Sequence, residues 1–366
     1  MPTRRPTMTD VAKAAGVSQS TVSMVLNNMT GARLSAETRS KVLSVAMELG
    51  YRLPRREGPA PAAAPVPASA SATAQTTPGA RRHLIGYVVD EISTSPHPVV
   101  SVDGARDAAW EHDCLVTVVV TRGNPGQEAA AIAALLEHPG LLGIVYSTIF
   151  TREVSLPDVL SARLDTVPVV LLNCHDERHK LPTIVPGEVG GGHAATEHLI
   201  AMGHTRIGFI NGEPWMEAAK DRIKGYRRAL ATADLPFDPA LVRDGDWMSG
   251  TGFEATRSLM AEPRPPTALF CANDLMALGA MEALAQLGLK VPEDISVMGY
   301  DDQEISRHTH PPLTTMVLPN YEMGRAAVEA LLVAADTPAP QRAGRRHLIK
   351  IDCPLVARQS VQRRGE

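Results

Sequence analysis

Small polar side chains cluster over residues 18–24 of this chain, in the stretch SQSTVSM. Hydroxyl and amide groups of this kind can hydrogen-bond to the edges of nucleotide bases and to phosphates. The stretch lies within MTDVAKAAGVSQSTVSMVLNN (8–28), a pattern typical of two short helices about a tight turn. On spacing alone, the pattern fits DNA recognition and a helix pair in any small bundle equally well.

Helix caps and stops indicate how these side chains are held. Thr9 and Ser18 are candidate N-caps of the two helices, and Gly16 can adopt the left-handed conformation that ends the first. The expected inward positions of the pair are Val11, Ala12, Ala15, Val22, Val25 and Leu26. A third helix, capped by Ser35 and stopped by Gly50, adds Val42, Val45, Ala46 and Leu49 to this core. Three such helices form a minimal DNA-binding domain, whose second helix enters the major groove.

The distribution of charge favours the nucleic-acid interpretation of this region. Residues 1–56 contain nine Lys/Arg against three Asp/Glu, a net charge of +6. Because the whole chain carries −4, the remainder carries −10. A basic head on an acidic body is typical of a phosphate-binding module joined to a soluble domain.

Length and composition divide the chain into three zones. With 366 residues it exceeds a single ordinary core, so two or three domains are expected. Residues 1–53 form the all-α head. Residues 54–82 are rich in Pro, Ala, Ser and Thr and nearly lack large apolar side chains, which predicts a flexible linker. Residues 83–366 form the body.

The body alternates strand-like and helix-like stretches, the pattern of parallel strands joined by crossover helices. The predicted strands are 83–89, 115–120, 142–146, 167–172, 206–210, 267–272 and 295–299. The predicted helices are 99–112, 126–137, 189–202, 217–233, 250–261, 273–287 and 320–334. We therefore expect an α/β body of two doubly wound lobes, with a ligand cleft between them at the carboxyl ends of the strands.

Cysteine usage and the N-terminus bear on the compartment. The four cysteines (Cys114, Cys174, Cys271 and Cys353) are far apart and form no zinc-binding spacing. We expect buried free thiols in a reducing cytoplasm, with disulfides or a metal site as the alternative. The N-terminus lacks an apolar signal region and no stretch approaches the ~18–20 apolar residues of a membrane span. A cytoplasmic protein is expected.

The segments TDVAKAAGVSQSTVSMVLN and SAETRSKVLSVAMELGY resemble the head of the lactose/galactose repressor (LacI/GalR) family of transcriptional regulators. The resemblance implies that Gln19 and Ser20 read bases. Met24 stands where many members have a basic residue, so contact with a thymine methyl replaces a hydrogen bond there. The positions that approach the DNA backbone or groove edge in the family are Thr9, Ser18, Thr21, Ser23, Asn27 and Arg33.

The linker departs from the family. Members usually continue after the third helix with Tyr-x-Pro-Asn and a short hinge helix whose leucine enters the minor groove. This chain has GYRLPRREGPAPAAAPVP instead, with prolines where that helix would run. Either the hinge helix is absent, or another contact is used, such as Arg52, Arg55 and Arg56 with phosphates or the minor groove.

Most of residues 83–360 also resemble the family, whose effector domain is similar to periplasmic sugar-binding proteins. The matching segments include GHTRIGFINGEP (203–214), DRIKGYRRAL (221–230), GDW (245–247), PPTALFCANDLMALGAMEAL (265–284), VPEDISVMGYDD (291–302), PPLTTM (311–316) and CPLVARQS (353–360). The resemblance and the positions at strand ends predict effector contacts at Asn173, Arg222, Trp247, Asn273 and Asp301. In the alternative interpretation, Asn273 and Asp301 are caps, Arg222 makes a surface ion pair and Trp247 is core.

Other patterns in the sequence give less information about function. The loop containing His97-Pro98-Val99-Val100 replaces the frequent Asn-Pro-Phe-Phe of the family, so the ligand class does not transfer. GEVGGGH (187–193) lacks the spacing of a nucleotide-binding loop and predicts only the start of a helix. His308 and His310 stand alone in a loop and are expected to be exposed rather than metal ligands. No catalytic constellation and no cofactor site emerges.

These observations predict a homodimeric, ligand-responsive regulator, a repressor, that binds a pseudo-palindromic operator and senses a small sugar-like or nucleoside-like effector. A solute-binding protein is the first alternative, and the DNA-binding head and missing signal sequence argue against it. An α/β enzyme of nucleotide or sugar metabolism is the second, and the missing catalytic constellation argues against it.

Overall fold

The computed structural model describes residues 13–17, 41–42, 44–45, 83–338 and 347–364. The chain divides into two compact units, Met1–Thr77 and Pro78–Glu366. The predicted linker 54–82 lies outside the described residues. So do all nine predicted DNA contacts: Thr9, Ser18, Gln19, Ser20, Thr21, Ser23, Met24, Asn27 and Arg33.

The few described residues of the first unit agree with the predicted helices. Residues 13–15 are helical, and Ala15 is fully buried. Gly16 follows with φ +68°, the left-handed conformation predicted for the end of the first helix. Val42 is helical and fully buried, as predicted for the third helix.

The second unit alternates strands and helices along most of its length. Its strands are β1 (His83–Val89), β2 (Cys114–Val120), β3 (Leu141–Glu153), β4 (Val169–His175), β5 (Thr183–Pro186), β6 (Ile207–Asn211), β7 (Val242–Asp244), β8 (Ala268–Cys271), β9 (Ser296–Asp301), β10 (Thr314–Val317), β11 (Leu348–Ile351) and β12 (Leu355–Val356). Its helices are α1 (His97–Glu111), α2 (Pro125–Leu136), α3 (Asp158–Ser161), α4 (Glu188–Ala201), α5 (Glu217–Thr232), α6 (Ser249–Met260), α7 (Asp274–Gln286), α8 (Ile305–His308) and α9 (Asn320–Asp336).

The first lobe is built on a parallel sheet of strand order β11-β5-β4-β3-β1-β2. Successive side chains of β1 point to opposite faces, as strand geometry requires. Tyr87 and Val89 pack with residues of α1 and α9 on one face. Val88 packs with residues of α2 and α3 on the other. Helices therefore cover both faces of the sheet, which is the doubly wound arrangement.

The second lobe repeats this plan with the order β12-β10-β9-β8-β6-β7, in which only β12 is antiparallel to its neighbour. Helix α4 packs against α5, and α6 packs against α7. Phe209 and Tyr226 stack in its core with ring centroids 5.1 Å apart. The two-lobed, periplasmic-binding-protein-like α/β body predicted from the sequence is confirmed.

Within residues 83–338 and 347–364, the chain passes between the lobes three times, after β5, after β10 and after β11. Two of the crossings are joined, because the Gly187 amide donates to the Ile351 carbonyl at 2.7 Å. These crossings lie beside the carboxyl ends of the strands, so they form one side of the space between the lobes.

All seven predicted strands and all seven predicted helices exist, with their ends shifted by at most three residues, except that β3 runs seven residues beyond its predicted end. The described part of the chain contains five further strands that were not predicted: β5, β7, β10, β11 and β12. Each has two to four residues, too few for an alternating pattern to stand out. The four cysteines are buried and unpaired. Within the part of the chain that the structure describes, no helix has the length and apolar character to span a bilayer.

Candidate effector cleft

A cavity of about 240 Å³ lies between the two lobes at the carboxyl ends of their strands. The segments that line it follow or end β1, β3 and β4 in the first lobe and β6, β8 and β9 in the second. Strand order reverses between β1 and β3 and between β6 and β8, and ligands of α/β proteins bind at such points. All five predicted effector contacts line this one cavity: Asn173, Arg222, Trp247, Asn273 and Asp301.

Arg222, on α5, is almost fully buried at the floor of the cavity. Its Nε and Nη2 donate to Oε2 and Oε1 of Glu188, each at 2.8 Å, and Nη1 donates to the Ala272 carbonyl. Its guanidinium carbon lies 3.7 Å from the centroid of the Tyr300 ring. Burial alone would lower the pKa of Arg222, but the carboxylates of Glu188 and Asp301 outweigh it and raise that pKa. Arg222 therefore stays charged.

The Nε and Nη2 groups of Arg222, a predicted effector contact, thus donate to Glu188, a residue that the sequence did not single out. Glu188 opens α4, so the glycine-rich stretch GEVGGGH does start a helix, as predicted. Its carboxylate is also the partner of Arg222, and both side chains are at least 94% buried. The pair is an internal ion pair, not the surface ion pair of the alternative interpretation.

Asp301 ends β9 with φ +103°, a backbone conformation that few residues other than glycine adopt. Its Oδ2 accepts from Gln303 Nε2 at 3.2 Å and lies 3.4 Å from His97 Nε2. Its Oδ1 lies 3.4 Å from Arg222 Nη2 and has no hydrogen-bond partner. Burial would raise the pKa of Asp301, but His97 and Arg222 outweigh it and lower that pKa. Asp301 is therefore an anion with unused acceptor capacity.

Trp247 and Asn273 form one wall of the cavity. Asn273 is the N-cap of α7, since its Oδ1 accepts from the Met276 amide at 2.9 Å. Its Nδ2 donates to the Trp247 carbonyl at 2.9 Å, which ties the cap to the wall. Trp247 adopts φ +69°, and its indole packs over Gly212, where a Cβ would lie 2.0 Å from the ring. Asn273 therefore both caps its helix and lines the cavity.

Asn173 lies on the opposite lobe, at the end of β4, with φ +56°. Its carbonyl accepts from Thr148 Oγ1 at 2.6 Å, so the backbone turn is anchored to β3. Thr151 Oγ1 donates to the Asn173 Oδ1 atom at 3.4 Å. The amide of Asn173 therefore faces the cavity from a fixed position.

His97, the first residue of α1, was noted in the sequence only as part of a departure from the family pattern. Its Nδ1 lies 3.1 Å from Asn320 Nδ2, and its Nε2 lies 3.4 Å from Asp301 Oδ2. The ring thus connects α1 of the first lobe with β9 of the second. Sequence spacing could not place it, because 204 residues separate it from Asp301.

A second buried carboxylate, that of Asp274, is a neighbour of Asp301. The Asp274 carboxylate is fully buried. It accepts from Thr315 Oγ1 at 2.6 Å and from the backbone N–H of Gln303 at 2.7 Å. Burial, with Asp301 as a neighbouring negative charge, raises the pKa of Asp274 to about 8. Gln303 therefore links the two carboxylates, since its backbone N–H donates to Asp274 and its side-chain Nε2 donates to Asp301.

Two further contacts join the lobes beside the cavity. His175 Nε2 lies 2.8 Å from Glu217 Oε1, and the Phe150 and Trp215 rings meet edge to face at 5.8 Å. His308, expected to be exposed, is exposed and lies 3.1 Å from Glu304. No cluster of three potential metal ligands occurs in the described ranges of the chain.

Comparison with known proteins identifies the family. Residues 7–53 match the model of bacterial regulatory proteins of the lacI family, and residues 196–361 match a periplasmic binding protein-like domain. The HTH-type transcriptional repressor PurR of Aliivibrio fischeri is 32% identical over 98% of this chain and 99% of its own length. This chain belongs to the LacI family.

Other LacI-family proteins show the same likeness. PurR of Haemophilus influenzae is 33% identical over 97% of this chain and 98% of its own length. The lac repressor dimer bound to operator and the anti-inducer ONPF has a TM-score of 0.62 and 30% identity, over 98% of this chain and 100% of that chain. A complex of the transcriptional regulator CelR with cellobiose has a TM-score of 0.61 and 28% identity, over 97% and 100% of the two chains. The family and these relatives are regulators of transcription, not enzymes.

Proposed function

We propose that this LacI-family protein is a sequence-specific transcriptional repressor that binds a pseudo-palindromic operator as a homodimer and responds to a small sugar-like or nucleoside-like effector. In this proposal residues 1–53 bind DNA, residues 54–82 are a flexible linker and residues 83–366 bind the effector and dimerise. The protein would act in the cytoplasm, where its operator is.

The observation that carries the proposal is the convergence of the five predicted effector contacts on one cavity between the lobes. They come from four strand ends and a helix, and both lobes contribute. A ligand held by Asn173 on one lobe and by Asp301 on the other would bind the closed arrangement of the lobes better than an open one. Such differential binding is what allows a ligand to shift a conformational equilibrium.

DNA binding is supported by the head. Its basic charge and its match to the lacI-family model over residues 7–53 favour a contact with DNA in which Gln19 and Ser20 read bases. The lac repressor relative is a dimer bound to operator, and the PurR relatives are repressors. Met24 and the proline-rich linker differ from the family pattern, so operator sequence and the route of signal transmission are specific to this chain.

Dimerisation is supported by apolar side chains that α1 and the edge strand β2 expose to solvent. Trp110 is 60% exposed, and Leu115 and Val118 are also exposed. Helix α1 packs beside β2, so these side chains lie on one region of the first lobe. Exposed apolar surface on an edge strand is typical of a protein–protein interface, and a second copy of this chain is the partner that we propose.

A mobility-shift experiment with genomic fragments, run at increasing salt, tests the proposal. We expect a subset of fragments to stay bound at salt concentrations that release the others. An effector then lowers or raises that retention, which distinguishes an inducer from a co-repressor. If no fragment is retained specifically at any salt concentration, the regulator proposal fails.

A further inference from the structure

We propose that the effector is a small uncharged molecule that hydrogen-bonds to the Asp301–His97 pair, and that Glu188 excludes phosphorylated and carboxylate-bearing molecules by occupying Arg222. This inference deepens the proposed function and rests on the cavity being the effector site.

The charges that line the cavity are unfavourable for an anion. Its lining in the described structure contains one arginine, Arg222, no lysine, and two acidic residues, Glu188 and Asp301. Arg152, on β3, is not part of the lining and is paired with Asp90, with Nη2 and Oδ2 3.0 Å apart. An anion that entered would therefore meet two carboxylates and one guanidinium that already faces both of them.

Arg222 has little left to offer a ligand. Phosphates and carboxylates bind arginine through a pair of parallel N–H groups, and Glu188 already accepts from that pair at 2.8 Å. Nη1 donates to the Ala272 carbonyl, and Nη2 also faces Asp301. The guanidinium lies against the Tyr300 ring, with Trp247 at 5.5 Å. A ligand anion would have to displace Glu188 and leave a buried carboxylate without its partner, which is unfavourable.

The N-termini of α1, α4 and α7 do not replace the missing cation. They attract anions through unpaired amides, but Asn273 already caps α7 with its own side chain. Helix α4 begins with Glu188, whose negative charge lies in the first turn. At α1, Pro98 has no amide hydrogen, and the Val100 amide donates to the Pro96 carbonyl.

The Asp301–His97 pair, in contrast, has hydrogen-bonding capacity to spare. Their closest atoms are 3.4 Å apart, beyond the 2.7–3.2 Å or so of an ordinary hydrogen bond. When Asn320 Nδ2 donates to His97 Nδ1, the ring proton is on Nε2 and points toward Asp301. A ligand hydroxyl can donate to the Asp301 carboxylate and accept from His97 Nε2. A neutral ligand N–H group with an acceptor atom beside it can make the same two hydrogen bonds. Adjacent hydroxyls of a sugar or the edge of a nucleobase have this chemistry.

The size of the cavity agrees with such a ligand. About 240 Å³ is below the ~300–1,000 Å³ of pockets for drug-sized molecules. The walls beyond the charged floor are mainly apolar, with Met216, Trp247 and Leu275 among them. A single sugar ring or a nucleobase fits this description.

Thermal unfolding of the full chain in inorganic phosphate tests the inference. We expect the wild-type Tm to show no saturable dependence on phosphate when chloride of equal ionic strength is the reference. Glu188→Gln keeps the shape of the side chain but removes its charge, so Arg222 becomes available to an anion. The variant should gain a saturable rise of about 2–4 °C at phosphate concentrations near ten times its Kd. Glu197→Gln, on the same helix but 65% exposed and away from Arg222, is the matched control and should behave like the wild type.

Two results would overturn the inference. One is a saturable phosphate-dependent rise in the wild type that Arg222→Gln abolishes. The other is a folded Glu188→Gln protein without any gain. If Glu188→Gln does not fold, the wild type is tested with neutral ligands and their phosphorylated counterparts, and greater stabilisation by a phosphorylated member overturns the inference equally.

A ligand panel of matched pairs extends the test. Ribose with ribose 5-phosphate, glucose with glucose 6-phosphate and adenosine with AMP each differ by the phosphate alone, and stabilisation of the wild type by a phosphorylated member over its partner contradicts the inference. These measurements do not involve DNA. Failure of the mobility shift would therefore remove the regulator proposal while leaving the ligand selectivity of the cleft to be judged separately.

Discussion

Arg222 and Glu188 form a buried, doubly hydrogen-bonded ion pair that joins α5 to the first turn of α4, with both N–O distances at 2.8 Å. The pair lies at the floor of the cavity between the lobes, beside Asp301. It follows that this part of the cleft is held together by charges that satisfy one another before any ligand arrives.

Breaking this pair should strongly destabilise the body. Glu188→Ala leaves the Arg222 guanidinium buried without its partner, and we expect a loss of about 3–5 kcal/mol in the free energy of unfolding. Urea denaturation followed by circular dichroism measures the loss. Glu197→Ala on the same helix is exposed and should change the free energy by no more than about 0.5 kcal/mol. Equal effects of the two substitutions would show that the ion pair does not stabilise the fold.

The protonation of Asp274 predicts a dependence of stability on pH. Its pKa rises from 3.8 to about 8 on folding, so the folded state binds a proton more tightly than the unfolded state. The stability that this group contributes is fully present below pH 3.8 and is lost as the pH rises through about 8. Asp274→Asn resembles the protonated acid and lacks this loss. Urea denaturation at pH 5 and pH 8 should therefore show the variant gaining stability relative to the wild type at the higher pH, and a difference that does not change with pH would contradict this assignment.

Gly212 should be indispensable for the Trp247 wall. A Cβ at Gly212 would lie 2.0 Å from the indole, so Gly212→Ala must displace the ring, at an expected cost of about 1–3 kcal/mol. The shift of intrinsic tryptophan fluorescence together with urea denaturation measures both effects. Gly190→Ala is the control, because a Cβ there meets nothing within 4 Å and alanine favours the helix. It should be neutral or stabilising by up to about 1 kcal/mol, and destabilisation by both substitutions would contradict the packing argument.

Substitutions of a base-reading residue and of a backbone-contacting residue in the head should have different effects on DNA binding. Gln19→Ala should weaken binding to the preferred operator by about 1–3 kcal/mol and relax the sequence preference at its position. Arg33→Ala should weaken binding to all sequences alike and reduce the slope of log K against log salt by about 1. Fluorescence anisotropy with operator and scrambled duplexes at several salt concentrations distinguishes them. If Gln19→Ala affects both duplexes equally, Gln19 does not read bases.

The proposed dimer surface predicts a difference between two exposed apolar residues. Trp110→Lys places a charge on the region of α1 and β2 that we assign to the second copy, and it should shift the protein toward the monomer. Val333→Lys, on α9 and 67% exposed, should leave the oligomeric state unchanged. Sedimentation velocity over a range of concentrations measures this, and a dimer that withstands Trp110→Lys would place the interface elsewhere.

Long apolar runs made most of the body predictable. β1 and β4 are buried β-branched stretches bounded by turns, and the pattern of such strands with intervening helices indicates parallel sheets in any context. The short strands β7, β10 and β12 have two to four residues, and their strand conformation depends on hydrogen bonds to a neighbouring strand. No local pattern could reveal them.

The candidate site, too, was predictable from the sequence only in part. Asn273 and Asp301 follow recognisable strands, so their place at the sheet edge was predictable. Glu188 and His97 were not, because the glutamate has the ordinary features of a helix start and its partner is 34 residues away along the chain. Their roles depend on distances across the lobes.

The sequence by itself determined the basic helical head, the two doubly wound lobes and the strand ends at which polar side chains gather, because charge, periodicity and capping are local properties. Tertiary structure alone decided how those side chains are used. It placed Glu188 against the guanidinium of Arg222 and His97 beside Asp301. A buried charge is unfavourable without a partner, and the partner has to be a group that the fold brings within a few ångströms.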